Sequence, residues 1–317
     1  MSKKGLNLLG QLLLLLATVV WGTSFFILKE TIAKVPTFYV LTLRFLPSGL
    51  ILLLLFSKKT FKMGKGTFLR GIVLGLFLSG AYMTQTLGLN YTTPSRNAFV
   101  TSTYVVMVPF LVWFMYKIKP KSYNIISAVA CLIGIALVSF SSGFGDAKNT
   151  AILGDALTLC GAVFYAFQIF YINKFQNKND DAICLLSIEL LTVGLTCGLV
   201  SLCYEVPVNA NAGTLSVFAL STEQALKIGY LMLFCTLLAQ GFQMFGQRFT
   251  TANQASIILS LESVFGTLFS VIFASEKLNA LMITGFIIVF TSVLINELEL
   301  DFVKLLNGKK KIESENE

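Results

Sequence analysis

Gln85-Thr86-Leu87-Gly88-Leu89-Asn90-Tyr91-Thr92-Thr93 and Gln243-Met244-Phe245-Gly246-Gln247-Arg248-Phe249-Thr250-Thr251 are one nine-residue pattern written twice, 158 residues apart and without a gap. Each reads Gln-x-x-Gly-x-x-aromatic-Thr-Thr, and each closes an apolar run. Repetition at a fixed offset is the signature of a duplicated unit. Further correspondences lie on either side. At an offset of 157, Ala128 and Gly134 fall over Gly285 and Thr291; at 144, Trp21-Gly22 falls over Tyr165-Ala166. The difference between these offsets is absorbed by the longer connection Glu205–Gln224.

The units are built of membrane helices. Of the 317 residues, 55% are hydrophobic and 13% charged, about half the charge that the surface of a soluble domain carries. The chain divides into apolar runs, each about 20 residues long and so able to cross the roughly 30 Å hydrocarbon layer as a helix. Runs such as Leu12-Leu13-Leu14-Leu15-Leu16 lack the period-two alternation of barrel strands. A helix also satisfies its own backbone hydrogen bonds, which lipid cannot do. The predicted spans are 7–28, 37–56, 70–89, 98–116, 123–140, 154–173, 182–204, 226–246, 254–274 and 279–297. Lys3-Lys4 and the run after them superficially resemble a signal peptide. The run is too long, however, and carries Trp21-Gly22-Thr23 where a small-residue cleavage site would stand, so it reads as a retained first helix.

The net charge of +8 sits in the connections, which argues against nucleic acid as a partner and for orientation signals. With the amino terminus inside, seventeen Lys and Arg fall on the inner side: Lys3, Lys4, Lys58, Lys59, Lys62, Lys65, Arg70, Lys117, Lys119, Lys121, Lys174, Lys178, Arg248, Lys304, Lys309, Lys310 and Lys311. Six fall outside (Lys29, Lys34, Arg96, Lys148, Lys227, Lys277), and Arg44 lies within a span. That bias requires an even number of spans and predicts a multi-pass cell-membrane protein with both termini cytoplasmic. The fold class expected is all-α integral membrane, ten transmembrane helices as two inverted five-helix repeats. Residues 1–140 form the first repeat, 150–298 the second, and 299–317 a cytoplasmic polar tail whose Lys309-Lys310-Lys311 can meet anionic lipid. Because five is odd, the second repeat enters the membrane upside down, an arrangement characteristic of secondary transporters.

The order and spacing of several short motifs resemble the drug/metabolite transporter superfamily, specifically the EamA-type ten-helix permeases. They are Trp21-Gly22-Thr23-Ser24-Phe25, Arg44-Phe45 with Pro47, Gln85 to Thr93 leading to Asn97-Ala98, and Gly154-Asp155 with Leu157. Ala255 through Ser260-Leu261-Glu262-Ser263-Val264-Phe265, followed by Glu276-Lys277-Leu278, completes the set. The likeness covers about residues 7–297. Ser263 departs from it where many relatives carry Pro, which leaves Pro109 in the fourth span as the expected source of a kink. The resemblance implies export of amino acids or related metabolites, driven by protons.

Ionisable residues deep in spans are the first functional candidates, because an unpaired charge in lipid is costly. Arg44 can anchor a substrate carboxylate through its bidentate fork; the structural alternative is that it snorkels to the interface or pairs within the protein. Glu262 and Glu189 are proton-coupling candidates, able to load a proton from one side and release it to the other; otherwise they are hydrogen-bonded packing groups. Arg44 and Glu189 occupy corresponding places in the two halves, and Glu262 corresponds to Tyr104. Trp21, Tyr82, Tyr104 and Tyr165, with Gln85 and Gln243, are the expected substrate-binding walls and polar handles of a central cavity. As single residues, aromatics in membrane helices are more often lipid-facing or packing groups. Gly71-x-x-x-Gly75 and Gly194-x-x-x-Gly198 read as close helix contacts within a monomer, with a homodimer face the alternative. Asp155 reads as a helix cap.

The six cysteines form no CxxC pair and read as apolar packing residues. With no His, and with scattered carboxylates, the sequence calls for no metal or cofactor. No Walker-type GxxxxGK[ST] motif points to an ATP motor. The expectation is a secondary active transporter of small organic solutes, working by alternating access among membrane lipid. Its rivals are an integral membrane enzyme acting on lipid or isoprenoid substrates, for which no carboxylate cluster is present, and a passive channel.

Overall fold

A computed structural model describes residues 3–141, 148–176, 180–275 and 279–297. Glu276-Lys277-Leu278, Lys178 and the tail 299–317 lie outside the described residues. The described chain is helical throughout: α1 (Lys3–Ile32), α2 (Thr37–Leu55), α3 (Lys65–Tyr91), α4 (Pro94–Tyr116), α5 (Ser122–Ser141), α6 (Lys148–Gln176), α7 (Ala182–Asn211), α8 (Thr222–Gly246), α9 (Ala252–Phe273) and α10 (Ala280–Glu297). Eight of these are long and apolar enough to cross a membrane, and α5 and α10 add two shorter apolar stretches. The distribution of polarity is that of a protein solvated by lipid. Leu54, Phe61, Phe114, Leu202 and Ile287 are exposed, while Arg44, Glu189, Glu262, Gln85 and Gln243 are buried.

The duplication is visible in how the helices cross. A Cβ on Gly10 of α1 would meet Gly246 O, Phe249 Cβ and Thr250 Cγ2; a Cβ on Gly154 of α6 would meet Gly88 O, Tyr91 Cβ and Thr92 Cβ. An offset of 144 carries Gly10 onto Gly154, and 158 carries Gly88, Tyr91 and Thr92 onto Gly246, Phe249 and Thr250. One crossing is therefore built twice, once at each end of the bundle. Only glycine allows it, since each added carbon would stand about 3 Å from a backbone oxygen of the facing helix. The pair α2 and α7 repeats the device. Gly49 packs on Leu191 and Gly194 on Leu46, so an offset of 145 exchanges the two helices.

Four positions of the repeated pattern now have a physical reason. Gln points inward, as described below. Gly makes the crossing, and the aromatic Cβ seats against the facing glycine. The last Thr caps the next helix: Thr93 accepts from Arg96 N ahead of Pro94 at the start of α4, and Thr251 forms a reciprocal capping box with Gln254 at the start of α9.

Several helix limits differ from those expected. α1 and α3 run longer than 7–28 and 70–89, and α7 continues past 204 through a π-turn at Ser201–Glu205. That turn brings the Glu205 carboxylate to the start of α2, where it accepts from Phe38 N at 2.7 Å and Tyr39 N at 2.9 Å. It serves as the helix cap that Pro36 cannot provide. The expected kink at Pro109 is not where α4 breaks. The break falls between Thr101 and Tyr104, and α9 breaks at the corresponding Leu261 without any proline. Ser102 Oγ, donating to Ser260 O at 3.3 Å, ties the two breaks together.

Gly71 and Gly75 approach Ile188 and Thr192, and Gly194 and Gly198 approach Leu46 and Thr42, so these close contacts are made within the chain.

Candidate functional site

The two breaks and the two inward glutamines meet in the middle of the bundle. Trp21, Ser24 and Phe25 of α1, Tyr82 and Gln85 of α3, Tyr104 of α4, Tyr165 and Ile169 of α6, Gln243 of α8, and Leu259 and Glu262 of α9 enclose a small chamber. Its free volume, about 20 Å³, suits roughly one water. All the expected wall residues (Trp21, Tyr82, Gln85, Tyr104, Tyr165, Gln243) and Glu262 are brought together there.

Repeat mates hydrogen-bond to each other around this chamber. Tyr104 OH donates to Glu262 Oε1 at 3.3 Å, and Gln240 Nε2 donates to Tyr82 OH at 3.1 Å. Both pairs, like Ser102 and Ser260, are 158 residues apart. A residue can touch its own counterpart only on the axis that relates the two halves, so the chamber lies on that axis.

The remaining polar groups form a linked lining. Tyr165 OH donates to Gln85 Oε1 at 2.9 Å, and Gln85 Nε2 donates to Thr101 Oγ1 at 2.9 Å. Tyr165 stands edge-on to both Tyr82 and Tyr104. Trp21 Nε1 donates to Cys235 O at 2.8 Å. That carbonyl belongs to a π-helical stretch of α8, Leu231–Leu238, where the widened turn leaves backbone oxygens to side chains of other helices. Ser48 Oγ reaches Met232 O in the same stretch.

Arg44 and Glu189 are not in the chamber wall. Both are fully buried (0% exposed), so Arg44 does not snorkel. Its Nε donates to Thr236 Oγ1 at 2.8 Å, and its guanidinium lies 5.0 Å from the ring centres of Phe45 and Tyr82. Nη1 and Nη2 find no partner among the described residues. One face of Tyr82 thus carries a cation while its hydroxyl serves the chamber. Glu189 Oε1 accepts from Gln168 Nε2 at 2.9 Å, and Gln168 exchanges hydrogen bonds with Gln243 at 3.1 and 3.4 Å. The second carboxyl is therefore connected to the chamber through two amides. The offset of 145 that exchanges α2 and α7 carries Arg44 onto Glu189, a pair of opposite charge at equivalent places.

Sequence reasoning missed Gln168, Gln240, Thr236 and Thr101, as well as Ser24, Phe25, Ile169 and Leu259. The argument that an amide within a span must find partners applies to Gln168 and Gln240 as well as to Gln85 and Gln243. It would have found the first two. Asp155 is held by Arg96 in a two-point contact, with Arg96 Nε 2.9 and 3.0 Å from its two oxygens, which ties α4 to α6.

Ten apolar helices in two inverted units around a small central chamber define a multi-pass membrane protein of transporter type. The sequence profile described as the EamA-like transporter family matches residues 8–140 and again 152–297. The chain belongs to the EamA-like transporter family. It is 28% identical over 293 residues to an uncharacterized transporter of Archaeoglobus fulgidus, covering 91% of this chain and 86% of that protein. It is also 25% identical over 154 residues to the uncharacterized transporter YetK of Bacillus subtilis, 46% of each chain. A crystal structure titled only as that of a protein shares the fold, with a TM-score of 0.74 at 15% identity over 95% of this chain and 99% of the other.

Proposed function

We propose that this protein is a secondary active transporter that carries small organic metabolites, amino acids foremost, through the axial chamber by alternating access. The supporting observation is that repeat mates, Tyr104 with Glu262 and Tyr82 with Gln240, meet at the chamber. A cavity on the axis between inverted halves can be opened to either side by one rearrangement and its mirror image. Its small volume fits a closed intermediate in which the walls have come together on themselves.

In this reading Trp21, Tyr82, Tyr104 and Tyr165 clasp the solute, and Gln85 and Gln243 orient it. Arg44, with two unpartnered nitrogens behind Tyr82, receives its carboxylate once that ring moves aside. Glu262 carries the coupling proton, and Glu189 is the second carrier through Gln168. The working unit is a monomer in the cell membrane with both termini cytoplasmic, exporting its solute.

Counterflow in proteoliposomes is the test. Unlabelled amino acid inside should accelerate uptake of the labelled amino acid from outside; a channel or an enzyme gives no such acceleration, and its absence across an amino-acid panel refutes the reading. Glu262→Gln should keep counterflow and lose its response to a proton gradient. If that response survives, Glu262 is not the carrier.

A further inference from the structure

The two ends of the bundle are built from equivalent helices, yet they differ. At the end carrying residues 29–37 and 89–96, α1 lies directly against the second half of α9. A Cβ on Gly22 would stand 2.6 Å from Phe265 Cβ, and Phe25 covers Gly266. At this end Arg96 pairs with Asp155 and Lys227 with Glu30 and Glu223, and Lys29 Nζ donates to Leu89 O and Asn90 O. At the two-fold-related place α6 and the second half of α4 meet through Tyr116 and Phe170, and beside that contact lies a cleft of about 720 Å³. This is the size of a small-molecule site.

The cleft lies further along two of the helices that wall the chamber. On α4, Tyr104 lines the chamber and Val112 and Tyr116 line the cleft; on α6, Tyr165 and Ile169 line the chamber and Asn173 the cleft. Steps of four and eight residues keep each series on one helix face. The cleft walls include Lys119, Lys121 and Lys174 and no carboxylate. Among the described residues Lys119 and Lys174 have no acidic partner, and Lys174 Nζ rests over the rings of Phe170 and Tyr171.

We propose that this cleft is the loading mouth of the transporter and admits small organic anions, the sign being set by Lys119, Lys121 and Lys174. The inference rests on the transport reading above and narrows its solutes to those with a net negative charge, such as amino acids with acidic side chains. Clefts lined by one sign of charge and walled by low-dielectric material concentrate the opposite ion about tenfold or more.

A cysteine placed at Val112, in the full chain with the exposed Cys160 and Cys203 changed to Ser, tests it in uncharged detergent micelles, where both ends of the bundle are open to the probes. The probes are anionic sulfonatoethyl and cationic trimethylammonioethyl methanethiosulfonate. Their rate ratio at Val112→Cys is divided by the ratio at Gly213→Cys, where the chain is open to solvent. The expected normalised preference for the anion is about tenfold at low salt, falling toward one when all three lysines are changed to Gln. A ratio near one, a ratio unmoved by the lysine changes, or a cysteine that neither probe reaches overturns the proposal. In counterflow, the triple Gln variant should raise KM for an anionic solute and leave kcat unchanged. Wild-type counterflow with a flat probe ratio defeats this inference alone, whereas absent counterflow defeats the transport reading beneath it.

Discussion

Gly22→Ala is the smallest change that separates folding from conformational preference in this protein. Its new carbon would stand 2.6 Å from Phe265 Cβ, 2.9 Å from the Phe265 carbonyl carbon and 3.0 Å from Gly266 N. Carbon atoms in contact prefer about 3.5–4.0 Å, and two of these neighbours are backbone, so α1 and α9 must part by about 1 Å at that end. Overpacking of this kind costs about 1–3 kcal/mol, which by the factor of ten per 1.4 kcal/mol is about 5- to 150-fold in population. Alanine also favours the helix by about 1 kcal/mol over glycine. That gain is present whether the end is open or shut, so it cancels from the conformational balance and enters only the melting temperature. Spin labels at Ala33 and Ala274, both exposed at that end, should therefore report a longer distance in Gly22→Ala, with little change in Tm. Gly229→Ala, which has nothing within 4 Å, should raise Tm slightly and leave the label distance alone. An unchanged distance in Gly22→Ala would mean that the two helices do not seal this end.

Other substitutions probe the remaining arguments. Arg44→Met removes a buried cation that, among the described residues, has one side-chain hydrogen bond and no carboxylate partner, so Tm should hold or rise while affinity for a carboxylate solute falls about tenfold or more; a fall in stability of about 3–5 kcal/mol would make Arg44 a structural residue instead. Gly88→Val and Gly246→Val fill mirror-image crossings, with Gly154 O at 2.6 Å and Gly10 O at 2.9 Å from the new carbon, and both should sharply reduce the yield of folded protein in detergent. Tolerance of either would contradict the crossing. Asp181 accepts from Ile183 N and Cys184 N at the start of α7. Partial burial pushes its carboxyl up, but those amides and Lys59 outweigh this and hold it below the ordinary aspartate value. Its contribution is thus fully present above the unfolded-state pKa and lost as pH falls through the folded one. Asp181→Ala should cost about 1 kcal/mol at pH 7 and little in strong acid, as read by thermal unfolding at the two pH values; an equal loss at both would exclude the carboxylate cap.

The parts of this fold that could be read in advance are those in which one residue type answers one local demand. Gly88 and Gly246 had to be glycine for backbone to meet backbone, and Thr93 and Thr251 had to offer a hydroxyl to the next helix. A repeated local demand shows as a repeated pattern. The breaks of α4 and α9 were misjudged because they are set from a distance: Ser102 holds Ser260 O, whereas Pro109, the obvious local suspect, sits inside a continuing helix. The π-helical stretch of α8 has no local signal either, since its carbonyls answer Trp21 and Ser48 from α1 and α2. Apolar periodicity could not say which faces line the chamber, because in lipid the outward and the inward faces of a helix are both apolar. Only the polar atoms betray the interior, and Gln168 and Gln240, buried beside Gln85 and Gln243, were passed over.

Duplication also explains why the charged residues lie where they do. Exchanging the roles of two halves requires matching geometry, and the crossings at Gly10 and Gly154 supply it. It does not require matching chemistry. At the one place where α2 and α7 are interchangeable, the chain carries Arg44 in one half and Glu189 in the other, each buried and neither in an ion pair among the described residues. On the axis itself, Tyr104 faces Glu262 rather than another tyrosine. An ionisable side chain held unpaired in a dry interior is costly to charge. Symmetry therefore accounts for the frame, and the departures from it, Arg44 opposite Glu189 and Tyr104 opposite Glu262, are the positions at which the two halves differ in chemistry.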